Sequence, residues 1–211
     1  MAVGQKQRSF LDCLLARREF FKACVGVYAP IVFAARRGKL AEAARLQTPT
    51  PACEDGDNLT PAAIEGPFYR PRSPGRVSLR EPGLSGARIV LAGQVFSRAC
   101  KLIPRALLEF WHADDKGDYD NAGFQFRGHQ YADAEGRYHL ETIVPGEYGF
   151  RTRHIHVKVQ APNSQSLTTQ LYFPGESRNK RDFFFRPELL MSVKTTKDGK
   201  HATFNFILNI S

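Results

Sequence analysis

The strongest restriction on the fold comes from the alternating segment 154–159, which reads His-Ile-His-Val-Lys-Val. Successive side chains of a β-strand point to opposite faces, so His154 and His156 share one face while Ile155 and Val157 lie on the other. Such a strand has one face against a second layer of structure. Two imidazoles on the same face, two residues apart, are well placed to bind one metal ion.

Further strand signals recur along the chain. The 16 Phe, 7 Tyr, 17 Gly and 13 Pro are typical of strands joined by tight turns. Strands are predicted at 89–96, 106–111, 137–143, 154–159 and 167–173, with a hairpin of 193–196 and 202–208 around Asp198-Gly199. The sequence therefore predicts an all-β protein, a single-domain antiparallel β-sandwich with long loops, rather than a parallel α/β sheet. The run Phe183–Phe185 is expected to form a buried plug.

The N-terminal region has the pattern of an export signal. Arg17-Arg18 precedes Phe20-Phe21-Lys22 and the uncharged run Ala23–Ala35, which indicates the twin-arginine type. That run is shorter than the roughly 20 apolar residues that span a bilayer, so no stable membrane span is expected. We predict a signal peptide at 1–43, a linker or N-terminal wrap at 44–60 and the sandwich at 61–211. The alternative is a cytoplasmic protein with an amphipathic N-terminal arm.

Export by the twin-arginine machinery would place the protein in the periplasm or outside the cell. Cys53 and Cys100 would then be the two cysteines of the mature chain, and an even pair in an exported protein is usually bonded. Peptide mapping without reductant would detect this predicted disulfide.

The charge distribution argues against a nucleic-acid partner. The net charge is +9, but residues 1–43 carry eight Lys and Arg against three acids, while residues 44–211 carry 22 against 18. No basic run interleaved with aromatic residues follows the N-terminal region, so the remaining charge indicates an ordinary solvated surface. The residues do not distinguish a monomer from a homo-oligomer.

Several motifs in order resemble those of the intradiol ring-cleavage dioxygenases, the family of catechol and protocatechuate dioxygenases. The Pro-Gly-x-Tyr turn at 145–148 leads into Arg-x-x-His-Ile-His at 151–156. The other matching segments are 65–69 (Glu-Gly-Pro-Phe-Tyr), 111–119 (Trp-His-Ala-Asp-x-x-Gly-x-Tyr), 126–130 and 167–173. The resemblance covers roughly residues 60–210, and the combination is far more specific than any single motif.

The resemblance implies a non-haem Fe(III) site with Tyr119, Tyr148, His154 and His156 as ligands. Two tyrosinates, two neutral imidazoles and a hydroxide favour the ferric state and form a hard site that substrate can enter. In the family pattern, Tyr119 and His154 would be the equatorial pair, and Tyr148 and His156 the axial pair. His112, His129, His139 and His201 lack this context and are expected to be structural or on the surface.

Three residues are implied in catalysis. Tyr148 would leave the metal as the diol binds and take up a substrate proton, Arg151 would offset negative charge on the bound ring, and Gln170 would hydrogen-bond near the metal. The implied reaction inserts O2 between the two hydroxylated carbons of a catechol-type diol and gives a cis,cis-muconate-type diacid. The alternatives are a transthyretin-like metal- or ligand-binding sandwich without catalysis and a zinc hydrolase, which is disfavoured because no His-Glu-x-x-His motif is present.

Overall fold

The computed structural model describes residues 59–211. The predicted signal peptide, Cys53 and nearly all of the predicted linker lie outside these residues, so the export, cleavage and disulfide assignments stay predictions. The strands of the described part are β1 (Arg88–Ser97), β2 (Leu107–Trp111), β3 (Arg127–Tyr131), β4 (Arg137–Ile143), β5 (His154–Gln160), β6 (Leu167–Tyr172), β7 (Ser192–Thr196), β8 (Gly199–Thr203) and β9 (Phe206–Leu208).

These strands form two sheets that pack as a β-sandwich, as predicted. One sheet has the order β4-β1-β8-β7, with β9 also paired to β1, and the other has the order β3-β2-β5-β6. Within residues 59–211 the only helices are the short 3-10 segments Ser177–Lys180 and Pro187–Leu189. No helix in this part of the chain is long and apolar enough to cross a membrane.

The main core lies between the sheets and includes one face of β5. Ile155, Val157 and Val159 are fully buried in it. Burying an aliphatic side chain of this size stabilises the fold by about 1.5–3 kcal/mol. The alternation predicted from the sequence is confirmed, and it leaves His154 and His156 on the outer face of the four-stranded sheet.

Two details of the strand prediction were wrong. The segment 202–208 is divided between β8 and β9, and both pair with β1 in parallel, so the sandwich is not purely antiparallel. Around the division, Asn205 Oδ1 accepts a hydrogen bond from Gln94 N, and Phe204 O lies so close to Gly93 that a Cβ there would be 1.8 Å from it. The chain therefore crosses β1 too closely at this point to continue one regular strand.

Strand β3 was not predicted as a strand, and the predicted aromatic plug is only partly buried. Gly128 and polar neighbours hide the strand pattern of β3. Phe183 is 89% exposed, whereas Phe184 and Phe185 are half-buried. The reason is a turn in which Asp182 Oδ1 accepts a hydrogen bond from Phe184 N. This turn directs the Phe184 side chain inward and leaves Phe183 in solvent.

The segment 59–79 covers the outer face of the four-stranded sheet. At one end, Thr60 exchanges hydrogen bonds with Ile207 of β9, and Ala63 N donates to Thr168 O of β6. At the other end, Arg76 N donates to His129 O of β3. The histidine-bearing face of β5 is thus enclosed between the sheet and this covering segment.

Candidate metal centre

The centre is built on a row of side chains that crosses all four strands of the sheet. Trp111 of β2 lies opposite Arg127 of β3 and opposite His156 of β5, and His156 lies opposite Gln170 of β6. Directly opposed residues project from the same face of a sheet. All four side chains are buried, so the strand register places them together in one enclosed layer.

The two histidines direct nitrogen atoms at each other and at a phenol. His154 Nε2 lies 3.1 Å from His156 Nε2, which lies 3.2 Å from the Tyr119 hydroxyl. His154 Nδ1 donates to Thr152 O at 2.7 Å, so its Nε2 carries a free lone pair. The Trp111 ring stacks on the His156 ring with centroids 4.8 Å apart and fixes its plane. The three donor atoms therefore converge on one point.

Burial keeps both imidazoles neutral. It lowers the pKa of His154 to about 4, with the positive charge of Arg151 acting in the same direction. Burial also lowers the pKa of His156 well below its ordinary value, with help from the neighbouring His154. Neutral imidazoles are the form that binds metal ions, because the lone pair is then available.

Tyr119 is held within a small second cluster of apolar side chains. It is only 9% exposed and packs with Trp111, Ala113 and Phe68. The Phe68 ring stacks on the Tyr119 ring with centroids 4.2 Å apart and an angle of 9°. Burial raises the pKa of Tyr119 well above its ordinary value, although the charges of Arg151 and Arg127 oppose this. A strongly positive ion would be needed to remove its proton at neutral pH.

The loops that carry the two tyrosines are in backbone contact. A Cβ on Gly117, where φ is +97°, would lie 2.1 Å from Glu147 O, and a Cβ on Gly146 would lie 2.4 Å from Gly117 N. Gly146 N donates to Asp114 O at 2.7 Å across the same contact. The glycines therefore bring the loop of Tyr119 against the turn before Tyr148.

Tyr148 is more accessible than Tyr119. Its side chain is 40% exposed, and its ring meets the Tyr119 ring edge-on with centroids 5.6 Å apart. Gly149 follows it at φ +54° with open space around its Cα. The two phenols thus lie side by side, one enclosed and one at the rim.

A buried ion pair lies on the other side of the histidines. Arg151 Nε donates to both carboxylate oxygens of Asp182, at 3.0 and 2.8 Å, and Asp182 also accepts from Thr152 N. Thr152 is the residue whose carbonyl orients His154. The pair therefore fixes the backbone that sets the direction of a candidate ligand.

Gln170 joins the same network. Arg151 donates to Gln170 Oε1 at 2.6 Å, and Gln170 Nε2 donates to Ile64 O at 2.7 Å. The Tyr172 hydroxyl lies 2.7 Å from Gln170 Oε1 and 2.9 Å from Phe184 O. Gln170 thus belongs to a connected set of polar groups that ties the sheet to two loops.

A cavity of about 400 Å³ opens beside this network. It is lined by residues 62–64 and 183–186, which are mostly apolar. Its walls touch the network through Ile64 O, which accepts from Gln170, and through the Phe184 ring, which lies 4.8 Å from the Arg151 guanidinium carbon. A planar apolar molecule has room there.

The spacing of the donor atoms fits one shared metal ion. Two ligand atoms about 2.1 Å from one ion and at right angles to each other are about 3 Å apart, close to both separations found here. Among residues 59–211, no group of three or more His, Cys, Asp or Glu side chains could hold a metal ion. A metal at this point would therefore have two imidazoles and phenols as its protein ligands, a set suited to a hard, oxidised ion.

The structure brings together the six residues predicted to form the site, with Tyr148 at its rim. Sequence reasoning missed Asp182, which gave no signal beyond its place before three phenylalanines, and Phe68, which lies within the 65–69 motif. Of the other histidines, His112 is buried and bonded to Ala113 O and the Thr142 hydroxyl. The remaining three lie away from the donor cluster, with His139 and His201 exposed.

Comparison with known proteins identifies the relatives of this chain. A catechol 1,2-dioxygenase from Acinetobacter lwoffii is 34% identical over 169 residues, which are 67% of this chain and 62% of that protein. The dioxygenase domain of a dioxygenase carbohydrate-binding protein fusion from Streptomyces sp. SirexAA-E is 52% identical, with a TM-score of 0.71, over 72% of this chain and 99% of that one.

A chlorocatechol 1,2-dioxygenase structure from Rhodococcus opacus, 26% identical, has a TM-score of 0.67 over 72% of this chain and 73% of that one. The chain spans between half and two thirds of the length of two curated catechol dioxygenases that it matches. Residues 64–210 match the family model described as Dioxygenase, and these residues contain every side chain of the candidate centre. The chain therefore belongs to the intradiol ring-cleavage dioxygenase family.

Proposed function

We propose that the protein is a non-haem ferric intradiol dioxygenase that cleaves catechol-type aromatic diols with O2. The observation that carries the proposal is that three donor atoms converge beside Tyr148. His156 Nε2 lies 3.1 Å from His154 Nε2 and 3.2 Å from the Tyr119 hydroxyl. Bound Fe(III) would supply a Lewis acid and an acceptor of electron density from the diolate ring.

The two histidines and the two tyrosines would have different roles in holding the ion and moving a proton. His154, fixed by Thr152 O, and His156, fixed by Trp111, would hold the ion in place. Tyr119, enclosed by apolar rings, would remain a permanent phenolate ligand. Tyr148 would accept a proton from the diol at its phenolic oxygen, because its exposed position lets it move away as substrate enters.

Arg151 would offset negative charge near the substrate. Its guanidinium is held by Asp182, Gln170 and the Phe184 ring, so it needs no reorganisation during the reaction. A fixed charge of this kind stabilises a charged transition state more than a mobile one. Gln170 would act by holding Arg151 in place.

The substrate would be a single aromatic ring with two adjacent hydroxyls, and the product a cis,cis-muconate-type diacid. Support comes from the cavity between Ile64 and Phe184 and from the relatives, which are named as catechol, chlorocatechol and protocatechuate dioxygenases. An oxygen-uptake screen over catechol, protocatechuate, hydroxyquinol and chlorinated catechols would identify the ring substituents accepted.

The purified protein should be red-brown, because ferric tyrosinate absorbs visible light, and it should consume O2 with a catechol. His154→Ala should lose iron and colour, whereas His139→Ala, an exposed histidine on the other sheet, should keep both. Tyr148→Phe should keep iron but slow turnover. A colourless wild-type protein that takes up no oxygen with any catechol would refute the proposal and leave a ligand-binding sandwich.

We also propose that the protein acts outside the cytoplasm. The support is the Arg17-Arg18 pattern, and the twin-arginine route suits a protein that acquires iron before export. Comparing the periplasmic or extracellular and cytoplasmic fractions of expressing cells would test this.

A further inference from the structure

Arg127 is a charged residue of the centre that the proposed reaction does not use. It begins β3 and is only 1% exposed. Its Nη1 donates to Phe68 O and its Nη2 donates to Asp120 O at 2.9 Å, while its buried Nε has no hydrogen-bond partner. Both of its acceptors are neutral carbonyl groups.

This guanidinium makes no salt bridge with any carboxylate of residues 59–211. The Asp120 carboxylate near it is occupied by the backbone N–H groups of Ala122, Gly123 and Gln125. By contrast, the other buried arginine, Arg151, is paired directly with Asp182. A buried cation without a partner is costly, so its retention suggests that an anion forms nearby.

The contacts of Arg127 surround Tyr119. Asp120, whose carbonyl it binds, directly follows Tyr119 in the chain. Phe68, whose carbonyl it also binds, stacks face to face on the Tyr119 ring. Arg127 therefore fixes both the backbone beside Tyr119 and the ring that covers it.

We propose that Arg127 is a positioning residue for Tyr119, holding its ring and offsetting the negative charge that the coordinated phenolate carries. The inference rests on the proposed function, because only metal binding makes Tyr119 an anion. It predicts that Arg127 contributes to ferric binding through Tyr119, whose following carbonyl it binds and whose ring is stacked on Phe68. The Tyr148 ring meets Phe68 only edge-on, with centroids 5.1 Å apart, so we expect no comparable effect through Tyr148.

A double-mutant cycle on ferric affinity, measured by chelator competition, tests this. Arg127→Met should weaken ferric binding about 10- to 100-fold, the usual effect of losing a group that supports a ligand. The same substitution should have little effect in a Tyr119→Phe background but its full effect in a Tyr148→Phe background. The control Arg88→Met removes a half-buried arginine of the other sheet, already paired with Glu141, and should change affinity by about 2-fold or less.

The tyrosinate absorption band gives a second readout that a merely structural role would not move. Arg127→Met should shift this band in the otherwise unchanged protein. If Arg127→Met fails to fold, Arg127→Lys tests the same point. It keeps the charge but cannot hold both carbonyls, so it should keep most of the ferric affinity and still shift the band.

An equal loss of affinity in all three backgrounds, or no loss, would overturn the role of Arg127 and leave the proposed function intact. In the Lys variant, an unchanged band or a loss of ferric binding would have the same consequence. If the wild-type protein binds no ferric ion and shows no such band, both proposals fail.

Discussion

Gly117→Ala should separate the two tyrosine loops, and its cost can be worked out from the contact at that position. Gly117 has φ +97°, and an added Cβ would lie 2.1 Å from Glu147 O. Gly175 provides a matched control, because its φ is +77° but a Cβ there would meet nothing within 4 Å. The two alanine variants therefore share the backbone penalty of a left-handed φ. They differ in the steric overlap with Glu147 O, which only Gly117→Ala creates.

The shared penalty is about 1–2 kcal/mol for an L-residue in the left-handed region. At Gly117 the overlap adds to it. An ordinary C···O contact is no shorter than about 3.3 Å, so the backbone at Glu147 must move by about 1 Å. The atom that obstructs is a backbone oxygen, which no rotamer change can remove. Overpacking of this kind costs about 1–3 kcal/mol more, which gives roughly 2–5 kcal/mol in total.

Urea unfolding of both variants without added metal measures these costs directly, and the difference between them isolates the overlap. Because Tyr148 follows Glu147, a 1 Å displacement should also lower turnover of a catechol by about 100-fold in Gly117→Ala, while Gly175→Ala stays near wild type. Equal losses of unfolding free energy in the two variants would show that the loops do not depend on this contact.

Three further predictions concern a buried histidine, the buried ion pair and export. Burial lowers the pKa of His112 to about 4, so its unfolded form binds the extra proton, and His112 alone should lower the free energy of unfolding by up to about 3 kcal/mol as the pH drops from above 6.5 to 4. His112→Asn should make that part of the urea-midpoint profile less steep without flattening it, because the buried His154 and His156 lose stability in the same pH range. Asp182→Asn should lower the free energy of unfolding by about 3 kcal/mol, because Arg151 is left as an unpaired buried charge, and adding Arg151→Met should recover part of the loss. Replacing Arg17 and Arg18 by Lys should keep the protein inside the cell, and unchanged secretion of this variant would contradict the twin-arginine assignment.

The sandwich could be predicted because its strands bury one face each. The period-two pattern of β5 and β4 is visible without any structure, and their predicted bounds lie within one residue of those observed. The division of 202–208 could not be foreseen, since it depends on the approach of Phe204 to Gly93, more than 100 positions earlier. Periodicity reports which face is buried and carries no information about contacts of this kind.

Only part of the candidate site could be predicted from the sequence. The spacing of His154 and His156 indicates a shared face, but the two tyrosines were assigned from the family resemblance alone. The residues that support them, Asp182 and Arg127, act through side-chain and backbone contacts across 31 and 59 positions of sequence. No local pattern marks an aspartate or an arginine as buried, because both residue types are ordinarily exposed.

The separation of the site from the main core explains why a fold of this kind can support such a costly polar cluster. Val157 and Ile155 anchor β5 in the core, while the candidate ligands project from the opposite face into a small cluster closed by Phe68 and Trp111. Replacing a ligand removes no side chain from between the sheets, so His156→Ala should change metal binding far more than unfolding of the metal-free protein. The burial that lowers the imidazole pKa values comes instead from the covering segment 59–79 and the loops. Changes in those loops can therefore alter the electrostatics of the centre without altering the sandwich that positions it.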